Sequence, residues 1–187
     1  MENLSGESFN VEQKLLDFAV SIAKEAGELT LSLFKDLNLE IIKKSDGSPV
    51  TEADRGAERL LRERISASFP EDSIIGEEEE NLFGSSGRTW ILDPIDGTQS
   101  FINGVPLFAN LVAFEDEHGS AVGVINLPGI DECIWAGRGL GCFADGKKVC
   151  VSNNETLDGC CVVTSGVDYW NSLSFFESLS ESKTTVR

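Results

Sequence analysis

An α+β fold is predicted by three features of the chain. Two amphipathic helical stretches open it, short apolar runs divided by turn signals follow, and the segment Asp93-Pro94-Ile95-Asp96-Gly97-Thr98 stands directly behind the apolar run Trp90-Ile91-Leu92. A helix pair packed on a largely antiparallel sheet accounts for all three.

The first helix is expected over Val11 to Lys35, where Leu15, Phe18, Ala19, Ile22, Ala26, Leu29 and Leu33 recur at helical spacing. Lys43-Lys44-Ser45-Asp46-Gly47-Ser48-Pro49 is a turn-rich connection. A second helix starts near Thr51, a natural N-cap, and runs to about Phe69 before Pro70, burying Leu60, Leu61 and Ile65. Strands are expected at Ser73–Gly76, Thr89–Leu92, Phe108–Phe114, Ala121–Leu127, Glu132–Ala136, Val149–Val151 and Cys160–Thr164. Turns at Glu117–Gly119, Pro128-Gly129 and Asp145-Gly146 make most of them an antiparallel meander. A last helix is expected over Ser172–Ser180.

The chain has 187 residues, enough for one substantial core or a core and part of a second. Against 15 basic residues stand 32 acidic ones, a net charge of −17 that repels nucleic acid and anionic lipid. A phosphate-handling site on such a surface needs divalent cations to invert the local potential. No run of about 18 apolar residues reads as a membrane span, and the polar, acidic N-terminus lacks the features of a signal peptide. Five cysteines without C-x-x-C spacing fit reduced thiols and a cytoplasmic location.

In the central segment, Pro94 is expected to stop the strand's ladder by removing a donor, and Gly97 to permit a turn. Asp93 and Asp96 then project from a strand end. At ~5 Å separation and an effective dielectric of ~20 they repel by roughly 3 kcal/mol, so a hard cation or a proton must sit with them. Glu77 follows Ile74-Ile75-Gly76 at another strand end, and Asp54 falls in the first turn of a helix. Oxygen donors in this number suit Mg²⁺, which keeps positions for water and phosphate. Each station also has a plain structural reading: Asp54 favours the helix dipole, Glu79 and Glu80 fit a solvated loop, and Thr98 caps a helix that begins after Gly97. A helix start beside metal ligands is a phosphate seat as well.

Rival chemistries are poorly served. Gly141 to Lys147 spells G-x-x-x-x-G-K, but Lys148 stands where Ser or Thr should coordinate Mg²⁺, and the segment reads as a β-turn. His118 is the only histidine and lies in a polar turn, which argues against a His-based zinc site and a Ser-His-Asp triad.

Together, Ser48-Pro49-Val50-Thr51-Glu52-Ala53-Asp54, Gly76-Glu77-Glu78 and Trp90 to Thr98 resemble the inositol-monophosphatase family of Mg²⁺-dependent, lithium-sensitive phosphatases. The resemblance implies the first portion of a layered αβαβα sugar-phosphatase-like fold. Residues 1–165 would be a metal-binding α+β domain and residues 166–187 the start of a truncated C-terminal α/β portion. It implies that Glu77, Asp93, Asp96 and the carbonyl of Ile95 hold Mg²⁺, two or three ions in all. Asp54 and Thr98 would activate water, with Glu78 beside them among the catalytic residues. Backbone N–H groups of Gly97 and Thr98 would hold phosphate, and Lys44 and Ser100 are candidate substrate contacts. The stretch from Gly97 to Leu111 is similar to the histidinol-phosphatase branch, which favours histidinol phosphate over inositol monophosphate. A homodimer acting on a small phosphate monoester is implied as well. The family continues beyond the position of Arg187 to a further aspartate motif for the second metal, and Trp170-Asn171 does not supply it. A non-catalytic scaffold or metal-binding protein is therefore the alternative, and a shortened sheet is expected to expose an apolar face.

Overall fold

The computed structural model describes residues 9–45, 47–162 and 185–186. The chain divides into two compact units, Met1–Val149 and Cys150–Arg187.

In the first unit, α1 (Gln13–Leu33) buries Leu16, Ala19, Ile22, Ala23 and Ala26 along one stripe. The expected turn-rich connection contains a small antiparallel hairpin instead, β1 (Ile41–Lys43) against β2 (Pro49–Thr51). Three-residue strands are too short to show a period of two, and Pro49 masks the second. Thr51 caps α2 (Glu52–Ser68): its hydroxyl accepts from the Ala53 N–H at 3.1 Å, and the Asp54 carboxylate accepts from the Thr51 N–H at 2.8 Å. The helix ends at Phe69, ahead of Pro70 as expected.

Seven strands follow: β3 (Ser73–Ile75), β4 (Thr89–Asp96), β5 (Ala109–Asp116), β6 (Gly119–Leu127), β7 (Glu132–Gly137), β8 (Gly141–Ala144) and β9 (Lys147–Val149), with the short α3 (Thr98–Ile102) between β4 and β5. They form one sheet in chain order, parallel between β3 and β4 and antiparallel elsewhere. Two expectations need correction here. The strand expected at Val149–Val151 is β9, which lies earlier in the chain. The G-x-x-x-x-G-K segment supplies β8 and its tight turn into β9, a strand hidden by its glycines.

The sheet lays one face on α1 and α2. Trp90 is wholly buried between Phe18, Phe69 and Phe114, and its indole N–H donates to Asp72 at 3.1 Å. Burying such a side chain contributes on the order of 3 kcal/mol. The other face is apolar too: Ile91 and Ile125 remain 37 % and 45 % exposed. A second, smaller cluster of Ala53, Ile95, Phe101 and Phe108 ties α2, β4 and α3 together under the polar end of the sheet.

Within the second unit, β10 (Cys161–Val162) pairs in parallel with β11 (Thr185–Val186). The strand expected at Cys160–Thr164 starts here, but residues 163 and 164 and the helix expected at Ser172–Ser180 lie outside the described residues. All five cysteines are free. Among the described residues no helix is long and apolar enough to cross a membrane.

Candidate functional site

The site is built around an irregularity in β4. Pro94 does not end the strand; pairing with β5 continues to Asp96 across a register shift. Asp93 pairs with Leu111 and Asp96 with Ala109, so β4 spans three residues where β5 spans two. The extra residue is a bulge, tolerable at Pro94 because a bulged position has no ladder bond to lose. Asn110 fixes it from within the core, its amide donating to the Pro94 carbonyl at 2.7 Å. Asn126 in turn donates to Asn110 at 3.0 Å and to the Ala23 carbonyl of α1 at 3.2 Å.

Asp93 stands at the centre. Its Oδ1 is buried and has no hydrogen-bond partner among the described residues. Burial, then the neighbouring charges of Glu77 and Asp96, push its carboxyl up to about 7. Lys44, at the end of β1, places its ammonium 2.6 Å from both Glu77 and Glu78. Burial alone would lower this group; the hydrogen bonds and charges of the two glutamates outweigh it and hold it up at about 12. The Glu78 side chain is only 4 % exposed, whereas that of Glu77 is 43 % exposed. Burial raises the Glu78 carboxyl despite Lys44.

On the other side, Asp54 is buried at the start of α2. One carboxylate oxygen takes the Thr51 hydroxyl at 2.6 Å, and the other faces the Thr98 hydroxyl at 3.3 Å. Burial raises its carboxyl, against hydrogen bonds that favour the charged form. The Thr98 hydroxyl also lies 3.0 Å from the Ile95 carbonyl. Gly97 takes a left-handed φ of 84°, which lets the chain leave β4 and enter α3 at once. Ser100 is half-buried on α3 and joined to no site carboxylate by a hydrogen bond among the described residues.

The structure thus brings Glu77, Asp93 and Asp96 into electrostatic contact, adds Lys44 and Glu78 on one flank, and joins Asp54 to Thr98 on the other. Among the described residues, no three His, Cys, Asp or Glu side chains form a ready-made metal cage. The Lys44 ammonium pairs with two of the neighbouring acids, Glu77 and Glu78. A divalent ion would have to draw Glu77 from it. The donor set fits such an ion: the donors are oxygens, and the unpartnered Asp93 Oδ1 is costly to leave buried. Sequence reasoning missed Asn110, and it also missed Glu58 and Arg62, which support the Glu77–Glu78 loop. The signal for Glu58 was available, since a charged residue four positions after Asp54 on α2 falls on the helix's buried stripe.

A helix pair on a mostly antiparallel sheet, with acids gathered beside one strand's bulge, defines the class as an α+β protein with an acidic polar end. Residues 11–184 match the model of the Inositol monophosphatase family, and the chain belongs to that family. It is 49% identical over 137 residues to a histidinol-phosphatase of Chlorobaculum parvum, covering 73% of this chain and 53% of that protein. With inositol monophosphatase 1 of Sus scrofa it shares 34% identity over 156 residues, covering 81% of this chain and 56% of that protein. Among solved structures it is similar to the extragenic suppressor protein suhB of Bartonella henselae, with TM-score 0.85 and 28% identity over 94% of this chain and 70% of that one. The chain spans about half the length of the curated relatives it matches.

Proposed function

We propose that this chain carries the metal-binding part of a Mg²⁺-dependent phosphomonoesterase whose substrate is histidinol phosphate. The observation that carries the reading is Asp93, a half-buried carboxylate whose buried Oδ1 is unpartnered among the described residues, set against Glu77 and Asp96. The 49% identity to a histidinol-phosphatase supports the substrate.

Glu77, Asp93, Asp96 and the Ile95 carbonyl would hold two or three Mg²⁺ ions. Bound there, the ions supply charge to stabilise the phosphoryl group and acidify water. Asp54 accepts a proton from the Thr98 hydroxyl, which frees the Thr98 oxygen to take one from the attacking water. Burial raises the Asp54 carboxyl, which favours its taking up that proton. Gly97 and Thr98 contribute backbone N–H groups to phosphate, Glu78 keeps Lys44 oriented, and Lys44 and Ser100 face the substrate. No protein nucleophile is used.

The test is Mg²⁺-dependent release of inorganic phosphate from histidinol phosphate, with Glu77→Gln as control. Release by the chain and not by the control is expected; no release from either overturns the catalytic part of the reading for this chain, and no Mg²⁺ binding overturns all of it. Inositol monophosphate is the second substrate to compare, favoured by the 34% identity to the porcine enzyme. Because the chain spans about half of its relatives, Mg²⁺ binding without turnover is the outcome that would mark it as a metal-binding portion only.

A further inference from the structure

We infer that Glu58 is a positioning residue, a buried carboxylate that sets the place of Glu77 and Glu78 by holding the backbone behind them. The inference rests on the metal-site reading above and extends it to a residue outside the acid cluster. Glu58 lies one turn beyond Asp54 on α2 and is wholly buried. Its two oxygens accept from the N–H of Glu78 at 2.7 Å and from the N–H of Glu79 at 3.1 Å. Arg62, one further turn along the helix, donates to Glu58 at 2.8 Å and to the Glu79 carbonyl at 3.2 Å. The helix therefore grips both polar sides of the loop backbone with a charge-neutral pair.

Two physical points separate this from ordinary loop packing. A wholly buried carboxylate is costly unless it is fully bonded, and among the described residues every hydrogen-bond partner of Glu58 is Arg62 or the loop that carries the metal-site acids. The loop is also shaped to receive it. A Cβ at Gly76 would fall inside van der Waals contact of the Glu58 carboxylate and 2.7 Å from Arg62 Nη2. Gly76 thus opens the path by which Glu58 reaches past the end of β3. The side chains of Glu77 and Glu78 then face Lys44, and their aim is set from α2, the helix that also supplies Asp54. One rigid element so places both flanks of the site. Supporting hydrogen bonds of this kind are worth about 10- to 100-fold in metal affinity.

Glu58→Gln keeps the shape but turns an NH₂ toward one of the two N–H donors, whichever way the amide lies. The experiment measures Mg²⁺ affinity by calorimetry and amide exchange of Glu78 and Glu79 by NMR, in the unsubstituted chain, Glu58→Gln and Gly76→Ala. Both variants are expected to raise the Mg²⁺ dissociation constant about tenfold and to speed exchange at Glu78 or Glu79, with amides of the sheet unchanged. Gly76→Ala keeps the Glu58 carboxylate chemically intact but displaces it from the loop, so it reports on the grip even if Glu58→Gln folds poorly. Unchanged Mg²⁺ affinity in folded variants overturns the inference, as does faster exchange spread evenly over the whole unit. An unsubstituted chain that binds no Mg²⁺ overturns the metal-site reading and the inference resting on it, a result distinct from equal affinities.

Discussion

Asp93 and Asp96, three residues apart in the chain, belong to the same face of β4, because that strand carries one residue more than β5 between them. In an unbroken strand an odd spacing sends two side chains to opposite faces. The bulge at Pro94 restores an even register and makes neighbours of two like charges, whose repulsion helps lift the Asp93 carboxyl.

That lift has a sign. Asp93 rises from 3.8 to about 7 on folding, so the metal-free folded state holds a proton that the unfolded chain releases. Its contribution to stability is full below pH 4 and is lost as pH rises through about 7. The whole shift corresponds to about 4 kcal/mol, cut by solvent access at this half-buried group to about 1–2 kcal/mol. Urea unfolding from pH 5 to 8 should show this decline in the metal-free protein and little of it in Asp93→Asn. Saturating Mg²⁺ should reverse the trend, since the ion binds the deprotonated carboxylate.

Lys44 competes with an ion for Glu77. At ~6 Å and a solvent-like dielectric of ~80, an ammonium repels a divalent ion by about 1.4 kcal/mol. Lys44→Gln should therefore tighten Mg²⁺ binding about tenfold in calorimetry. Weaker binding would show that Lys44 orients Glu77 for the ion rather than standing in for it.

The bulge depends on a buried amide relay. Asn110→Ala leaves the Pro94 carbonyl and the Asn126 amide without a shared partner, an expected loss of about 2–3 kcal/mol. At an m-value of ~2 kcal/mol/M this moves the urea midpoint down by about 1–1.5 M. Gly27→Ala should act in the same direction, because a Cβ there would collide with the Asn126 amide.

Asp54 has two duties that substitution can separate. Asp54→Asn keeps an acceptor for the Thr51 N–H, so the cap should weaken by no more than about 1 kcal/mol in thermal unfolding. As a proton acceptor it is disabled, and phosphate release should fall about 100- to 10,000-fold with KM little changed. A fall that merely tracks lost folded protein would reduce Asp54 to a helix cap.

Much of this was legible in the residues. Helical spacing marks α1 and α2, Thr51 and Pro70 bound α2, and the carboxylates of Glu77 and Asp96 stand out at strand ends, whereas Asp93, expected at an end, lies inside β4 because pairing continues past Pro94. Less visible were β1, β2 and β8, whose strands are too short or too glycine-rich for a period of two to emerge.

By itself the sequence determined the α+β class, the family resemblance and the identity of the acids, because these rest on local periodicity and on residue type. Tertiary structure alone decided how the acids meet. The parity of Asp93 and Asp96 depends on the register of a different strand, β5. The partnership of Lys44 with Glu77 spans 33 positions, and the grip of Glu58 on Glu78 spans 20. Contacts at such separations are set by how the helix pair and the sheet pack, not by the order of residues in any one segment.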